Sequence, residues 1–229
     1  MPRERLTIEG IPALLAGPER PRGAVLFLHG AGGSKERTAA LAGPLHEAGF
    51  LTLHPDALHH GERKGGAGDV FRDKAKIVEA QLASIEEAPR LLAWLRARFP
   101  GLPLFAVGAS MGGYVVHELL AQGEALAAAA VWMSAARPPD WLTPALPPGF
   151  VPAIERAGGY RGVPLLHLHG DADAIVPLRL AEETIETLRS RYPPGRLALA
   201  VLPGVGHAPR PEMAALSAGW FLRWRSESA

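Results

Sequence analysis

The chain has 229 residues, enough for one well-buried core and few for two substantial domains; its 48% hydrophobic and 21% charged residues are those of an ordinary globular protein and exclude disorder. A formal net charge of +1, with the basic residues scattered, excludes a field strong enough to recruit nucleic acid or an anionic membrane surface. The lack of cysteine excludes disulfides, thiolate nucleophiles and cysteine-ligated zinc.

In chain order, the opening "RLTIEGIPALLAG" has the form of an antiparallel hairpin at a sheet edge. No apolar signal-like core precedes it, and no run of about 18 apolar residues occurs, so a cytoplasmic location without a membrane partner is expected. Short apolar runs bounded by Gly or Pro predict strands over Ala24–Leu28, Phe50–His54, Leu102–Val107, Ala128–Met133, Val163–Leu168 and Leu197–Leu202. Their continuous hydrophobicity means that both faces of the sheet are covered. Helix-type segments lie between them, over Glu36–Ala48, Val70–Phe99, Gly112–Gln122, Leu178–Arg191 and Pro211–Trp224. Pro89 divides the second of these into two helices in this reading. The alternation predicts a doubly wound, mostly parallel α/β sheet in a single domain over residues 1–229. Within it, residues 134–162 carry six prolines and no clear period, the form of a small lid-like insertion. Only four of the 24 basic residues are lysine and asparagine is absent, which a GC-rich genome explains as well as heat adaptation does.

"FAVGASMGGYVV" runs from strand to helix with no ordinary loop between, and contains Gly108-Ala109-Ser110-Met111-Gly112, a G-x-S-x-G match. Glycines flank a serine at such a corner because side chains there collide with the adjoining strand and helix, and the turn lifts the hydroxyl clear of the sheet. A serine hydroxyl needs a general base and a group that orients the base. "HLHGDADAIVP" offers Asp171 and Asp173 beyond one later strand, and "LPGVGHAPRP" offers His207 beyond the next. All lie past carboxyl ends of strands, where an open α/β sheet places its crevice. Spacing alone leaves the choice between the two aspartates open.

Two other patterns carry less. "HLHGD" begins like a zinc-hydrolase motif but has Ala172 where a histidine ligand is needed, and "HGAGGSK" satisfies neither phosphate-loop pattern. No metal site, nucleotide site or cofactor is expected. "HPDALHHGERKGG" reads as a Gly-rich turn tied by Asp56, His60 and Arg63, with His59 or His60 at a substrate entrance as the alternative.

His29-Gly30, Gly108 to Gly113, "HGDADAIVP" and "GVGHAP" together resemble the α/β-hydrolase superfamily, specifically the compact serine esterases of the dienelactone-hydrolase and carboxylesterase branch, over essentially the whole chain. The resemblance implies that Asp173 is the acid and Asp171 a turn residue. It implies an oxyanion hole formed by the amides of Met111 and Ala31, with Ala31 preferred to Gly32. His29, His60, Trp141 and Tyr160 are candidate substrate contacts. The expected activity is hydrolysis of small or short-acyl carboxylic esters through an acyl-enzyme on Ser110, with His207 as base. A peptidase or thioesterase on the same residues, and a non-catalytic binding protein on the same scaffold, are the alternatives. The oligomeric state is not legible.

Overall fold

The computed structural model describes residues 3–66 and 68–225. Strands β1 (Arg3–Ile8) and β2 (Ile11–Ala16) form the expected hairpin, turning through Glu9 and Gly10, both at positive φ. β3 (Gly23–Leu28), β4 (Phe50–Pro55), β5 (Leu104–Ala109), β6 (Ala128–Trp132), β7 (Leu165–Gly170) and β8 (Leu197–Leu202) follow. They form one eight-stranded sheet in the order β1-β2-β4-β3-β5-β6-β7-β8, parallel from β4 to β8, with β1 and β2 antiparallel at one edge.

β5 and β7 each start and finish two residues later than the apolar runs predict. Pro103 and Pro164 lack the N–H that a ladder position needs, yet their carbonyls still accept from Ala24 and Ala129 of the neighbouring strands. Each strand instead continues to a small residue, Ala109 or Gly170, beneath the crevice.

The helices are α1 (Lys35–Leu41), α2 (Gly43–Glu47), α3 (Lys74–Arg98), α4 (Met111–Ala121), α5 (Leu178–Arg189) and α6 (Pro211–Trp224). The segment expected as one helix over Glu36–Ala48 is broken at Ala42, where Pro44 opens a second short helix. The opposite correction applies to α3, which runs unbroken through Pro89. Ile77, Gln81, Ser84, Ala88, Leu91 and Leu95 keep one buried face at three- and four-residue spacing on both sides of the proline, and that packing outweighs the missing hydrogen bond.

Alternation along the central strands divides the core into two layers. Leu26 and Leu28 of β3 face Leu91, Leu95, Val115 and Leu119 of α3 and α4. Val25 and Phe27 point the other way, toward Leu45 of α2 and Phe221 of α6. Trp132 is fully buried in the second layer, and its indole N–H donates to Ser217 Oγ at 2.9 Å, fastening α6 to the sheet. Among the described residues no helix is long and apolar enough to cross a membrane.

Candidate active site

β5 passes into α4 through one residue. Ser110 sits there at φ 52° and ψ −116°, a conformation that costs a non-glycine residue on the order of 1–3 kcal/mol and persists only when its surroundings enforce it. They do: its N–H donates to the Trp132 carbonyl of the adjacent strand at 2.8 Å, while its own carbonyl accepts from Tyr114 in the first turn of α4. The flanking glycines are required by contact. A Cβ at Gly108 would lie 2.1 Å from the Gly112 carbonyl oxygen, and one at Gly112 would lie 2.5 Å from that of Leu28.

The loops after β7 and β8 bring two partners to this corner. His207 Nε2 lies 2.8 Å from Ser110 Oγ, and its Nδ1 lies 2.7 Å from Asp173 Oδ2. The carboxylate can only accept, so Nδ1 carries the proton and Nε2 is left to accept from the serine hydroxyl. Asp173 Oδ1 accepts from the amides of Ile175 and Val176, each at 2.9 Å. Burial alone would raise its pKa; the hydrogen bond and charge of His207 and the two amides outweigh that and hold the carboxyl below its ordinary value. His169 packs behind, 3.5 Å from the same carboxylate, with Nε2 donating to the Val176 carbonyl; burial lowers its pKa and favours the neutral ring. Asp171 takes a different place, accepting from the Gly204 amide at 2.7 Å and so linking the two loops.

The loop after β3 approaches from the other side. Gly30 is close enough that a Cβ there would lie 3.1 Å from the Ser110 Cβ. The Gly32 amide is occupied, donating to His60 Nε2 at 2.9 Å, and the Gly33 amide donates to the Gly30 carbonyl. The amides of Ala31 and Met111 donate to no group among the described residues.

His29 and His60 serve this loop. His29 Nε2 accepts from the Ala57 amide and Nδ1 donates to the Gly30 carbonyl; burial lowers its pKa to about 4, so the ring is neutral. His60 Nδ1 donates to the Leu58 carbonyl, leaving Nε2 free to receive Gly32. Both rings are therefore committed to backbone. Asp56 and Arg63 tie the same turn as expected: Asp56 accepts from the amides of Lys35 and Glu62, and Arg63 makes a two-pronged ion pair with Glu87. His59 points away to Glu79.

Two hollows meet at Ser110. One is walled by Phe71, Ile77, Gln81, Trp141, Leu142 and Val176. The other contains His29, Arg37, Leu41, Met133, His207 and Pro209. Trp141 thus stands at the site, its indole N–H donating to the Ile175 carbonyl at 2.8 Å. Tyr160 does not: it is buried under α4, its hydroxyl paired with His117 Nδ1 at 2.9 Å, and it lines neither hollow. A large aromatic in a proline-rich segment fits a core contact as well as a substrate contact, and here the core takes it. Residues 134–142 wall the first hollow and are pinned to α5 by Ala136 N–H on Thr184 and by Arg137 on Glu183. Phe71, Gln81 and Arg37 escaped the sequence reading. Only Gln81 left a signal there, as an amide on the apolar face of a helix-type stretch.

The comparisons bear on the fold and the family. A protein-family model described as Serine aminopeptidase, S33 (Hydrolase_4) matches residues 19–156, more than half of the chain. The crystal structure of TT1662 from Thermus thermophilus is 39% identical, with a TM-score of 0.84 over 98% of both chains. A thermostable carboxyl esterase from Bacillus coagulans shares the fold, with a TM-score of 0.76 at 18% identity over 98% of this chain and 99% of that one. A Mycobacterium tuberculosis protein carrying a phosphoribosyl transferase name is 28% identical over 96% of this chain and 46% of its own length, so the chain spans about half the length of the curated relative it matches. The sheet order and the family match agree, and the chain belongs to the Hydrolase_4 family within the α/β-hydrolase superfamily.

Proposed function

We propose that the protein hydrolyses carboxylic esters through an acyl-enzyme on Ser110. The observation that carries this reading is the continuous contact from Asp173 through His207 to Ser110 Oγ, at 2.7 and 2.8 Å. Ser110 Oγ attacks the ester carbonyl carbon while His207 Nε2 takes the hydroxyl proton; the imidazolium formed is stabilised by Asp173. The oxygen that becomes negative accepts from the Ala31 and Met111 amides, the choice of Ala31 being favoured because Gly32 already donates to His60. As the tetrahedral species collapses, His207 returns the proton to the departing alcohol. A water, deprotonated by the same nitrogen, then attacks the acyl carbon and regenerates Ser110 with release of the acid. His29 and His60 act in this scheme by holding the Ala31 loop, and Trp141 by walling the substrate. The chain is read as one hydrolase unit in which the first part of the 134–162 insertion, residues 134–142, closes one side of the crevice.

A free α-amino group, which an aminopeptidase substrate presents, is disfavoured by the charges at hand. No carboxylate stands on the wall of either hollow among the described residues to meet an ammonium; the charged side chains there are Arg37 and Arg137, the latter paired with Glu183 and Asp140. Matched ester, thioester and dipeptide substrates test the choice: ester turnover is expected to lead, and faster dipeptide turnover would overturn it.

A further inference from the structure

The two hollows divide the substrate. His207 lines the second and is absent from the wall of the first, and the imidazole that protonates the departing oxygen must adjoin it. The leaving group therefore takes the second hollow and the acyl chain the first. The acyl wall is largely apolar, but Gln81, Ser134 and Tyr114 interrupt it, the last with its hydroxyl donating to Glu118. Gln81, one helical turn beyond Ile77 on α3, is 2% exposed, and its Nε2 is buried with no hydrogen-bond partner. That nitrogen is closed to solvent, so the cost of such an orphan is recovered only when the amide turns about its last torsion and meets an acceptor in the hollow. A carboxylate is a poor occupant, because one neutral amide cannot compensate its desolvation, and the nearby Arg137 is held by Glu183 and Asp140.

We propose that Gln81 is a specificity-determining residue that selects acyl groups bearing an uncharged acceptor oxygen, a carbonyl, hydroxyl or ether, over purely hydrocarbon acyl chains. This rests on the reading of Ser110 as the residue acylated. A site built to pair with a polar group discriminates against the analogue lacking it far better than an apolar pocket rejects an extra methylene.

The test compares p-nitrophenyl hexanoate with three isosteres in which an ether oxygen replaces the third, fourth or fifth acyl carbon. The ratio of kcat/KM for each ether ester to that for hexanoate, corrected for hydroxide-catalysed hydrolysis, is measured for the wild-type protein and for Gln81→Met. At least one ether ester is expected to be favoured by the wild type, and the Met variant is expected to lower that ratio about tenfold, ~1.4 kcal/mol. Ratios equal within about twofold in the two proteins for all three isosteres would overturn the proposal, and so would a wild-type ratio at or below one for all three, which needs no variant. A purely structural Gln81 would instead lower the unfolding temperature of Gln81→Met without moving the ratio. Fluorophosphonate labelling separates the failures: no label on Ser110 removes the esterase reading and this one with it, whereas labelling with unmoved ratios removes only this one.

Discussion

Lys35 Nζ lies 2.5 Å from Asp56 Oδ2, with both side chains sealed from solvent. The carboxylate also accepts from the Lys35 and Glu62 amides, and the ammonium reaches Glu62 and Glu36, so the pair binds the loop after β3 to the turn after β4. Gly61 closes the cage: at φ +49° it passes so near that a Cβ would lie 2.1 Å from the Asp56 carboxylate.

Removing Asp56 takes the sealed carboxylate from Lys35, which keeps only the half-exposed Glu36 and Glu62, and leaves two amides without their acceptor. Asp56→Ala is expected to cost about 3–5 kcal/mol, and Lys35→Met less, because Asp56 keeps its two amide donors. Urea unfolding of the two variants checks the order; equal or negligible losses would contradict it.

Ser110 is held at a backbone conformation suited to glycine. Ser110→Gly is expected to unfold at higher urea than Ser110→Ala, by roughly 1 kcal/mol, while both lack ester turnover. Equal stability of the two would mean that the turn stores no strain.

The carboxylate of Asp173 fixes which nitrogen of His207 carries the proton. Asp173→Asn presents an amide that can donate to Nδ1 and so favours the wrong tautomer, with kcat expected to fall by about 10²–10⁴. Asp171→Asn, which keeps an acceptor for the Gly204 amide, is expected to stay within about threefold of wild type, since a side-chain oxygen still reaches that loop. A larger loss at 171 than at 173 would reverse the assignment.

Stability should fall on acidification well above the carboxylate range. Burial lowers the pKa of His29 to about 4, and of His54 and His117 to about 3, against an ordinary value of 6.5. Between about pH 6.5 and 4 the unfolded chain therefore binds protons that the folded chain refuses, and stability declines as pH falls, by about 1.4 kcal/mol per pH unit for each such histidine. Urea midpoints measured from pH 8 to pH 4.5 are expected to be flat above 7 and to drop steeply below 6.5. A midpoint that holds to pH 5 would contradict the neutral, buried rings.

Much of this was legible in the sequence because it follows from local rules. The glycines at 108 and 112 mark a corner where side chains do not fit, and the apolar runs mark strands covered on both faces. The acid and base lie far apart in the chain, but each follows a strand, and a parallel sheet delivers all such loops to one edge. What stayed hidden depends on packing across the chain. Pro89 reads as a break until the layer it packs against is known. Nothing local marks Lys35 as buried, because the partner that seals it, Asp56, arrives from another loop. Loop spacing could not separate Asp171 from Asp173, because their difference lies in which carboxylate turns toward His207 and which toward Gly204.

The central claim is that His207 makes Ser110 nucleophilic. It is tested most directly by the rate of phosphonylation by a fluorophosphonate, with the modified residue identified by peptide mass. The wild-type protein is expected to be labelled at Ser110, and His207→Ala, folded, to react at least about 10²-fold more slowly. Equal rates in the two proteins, or a label on any other residue, would contradict the account.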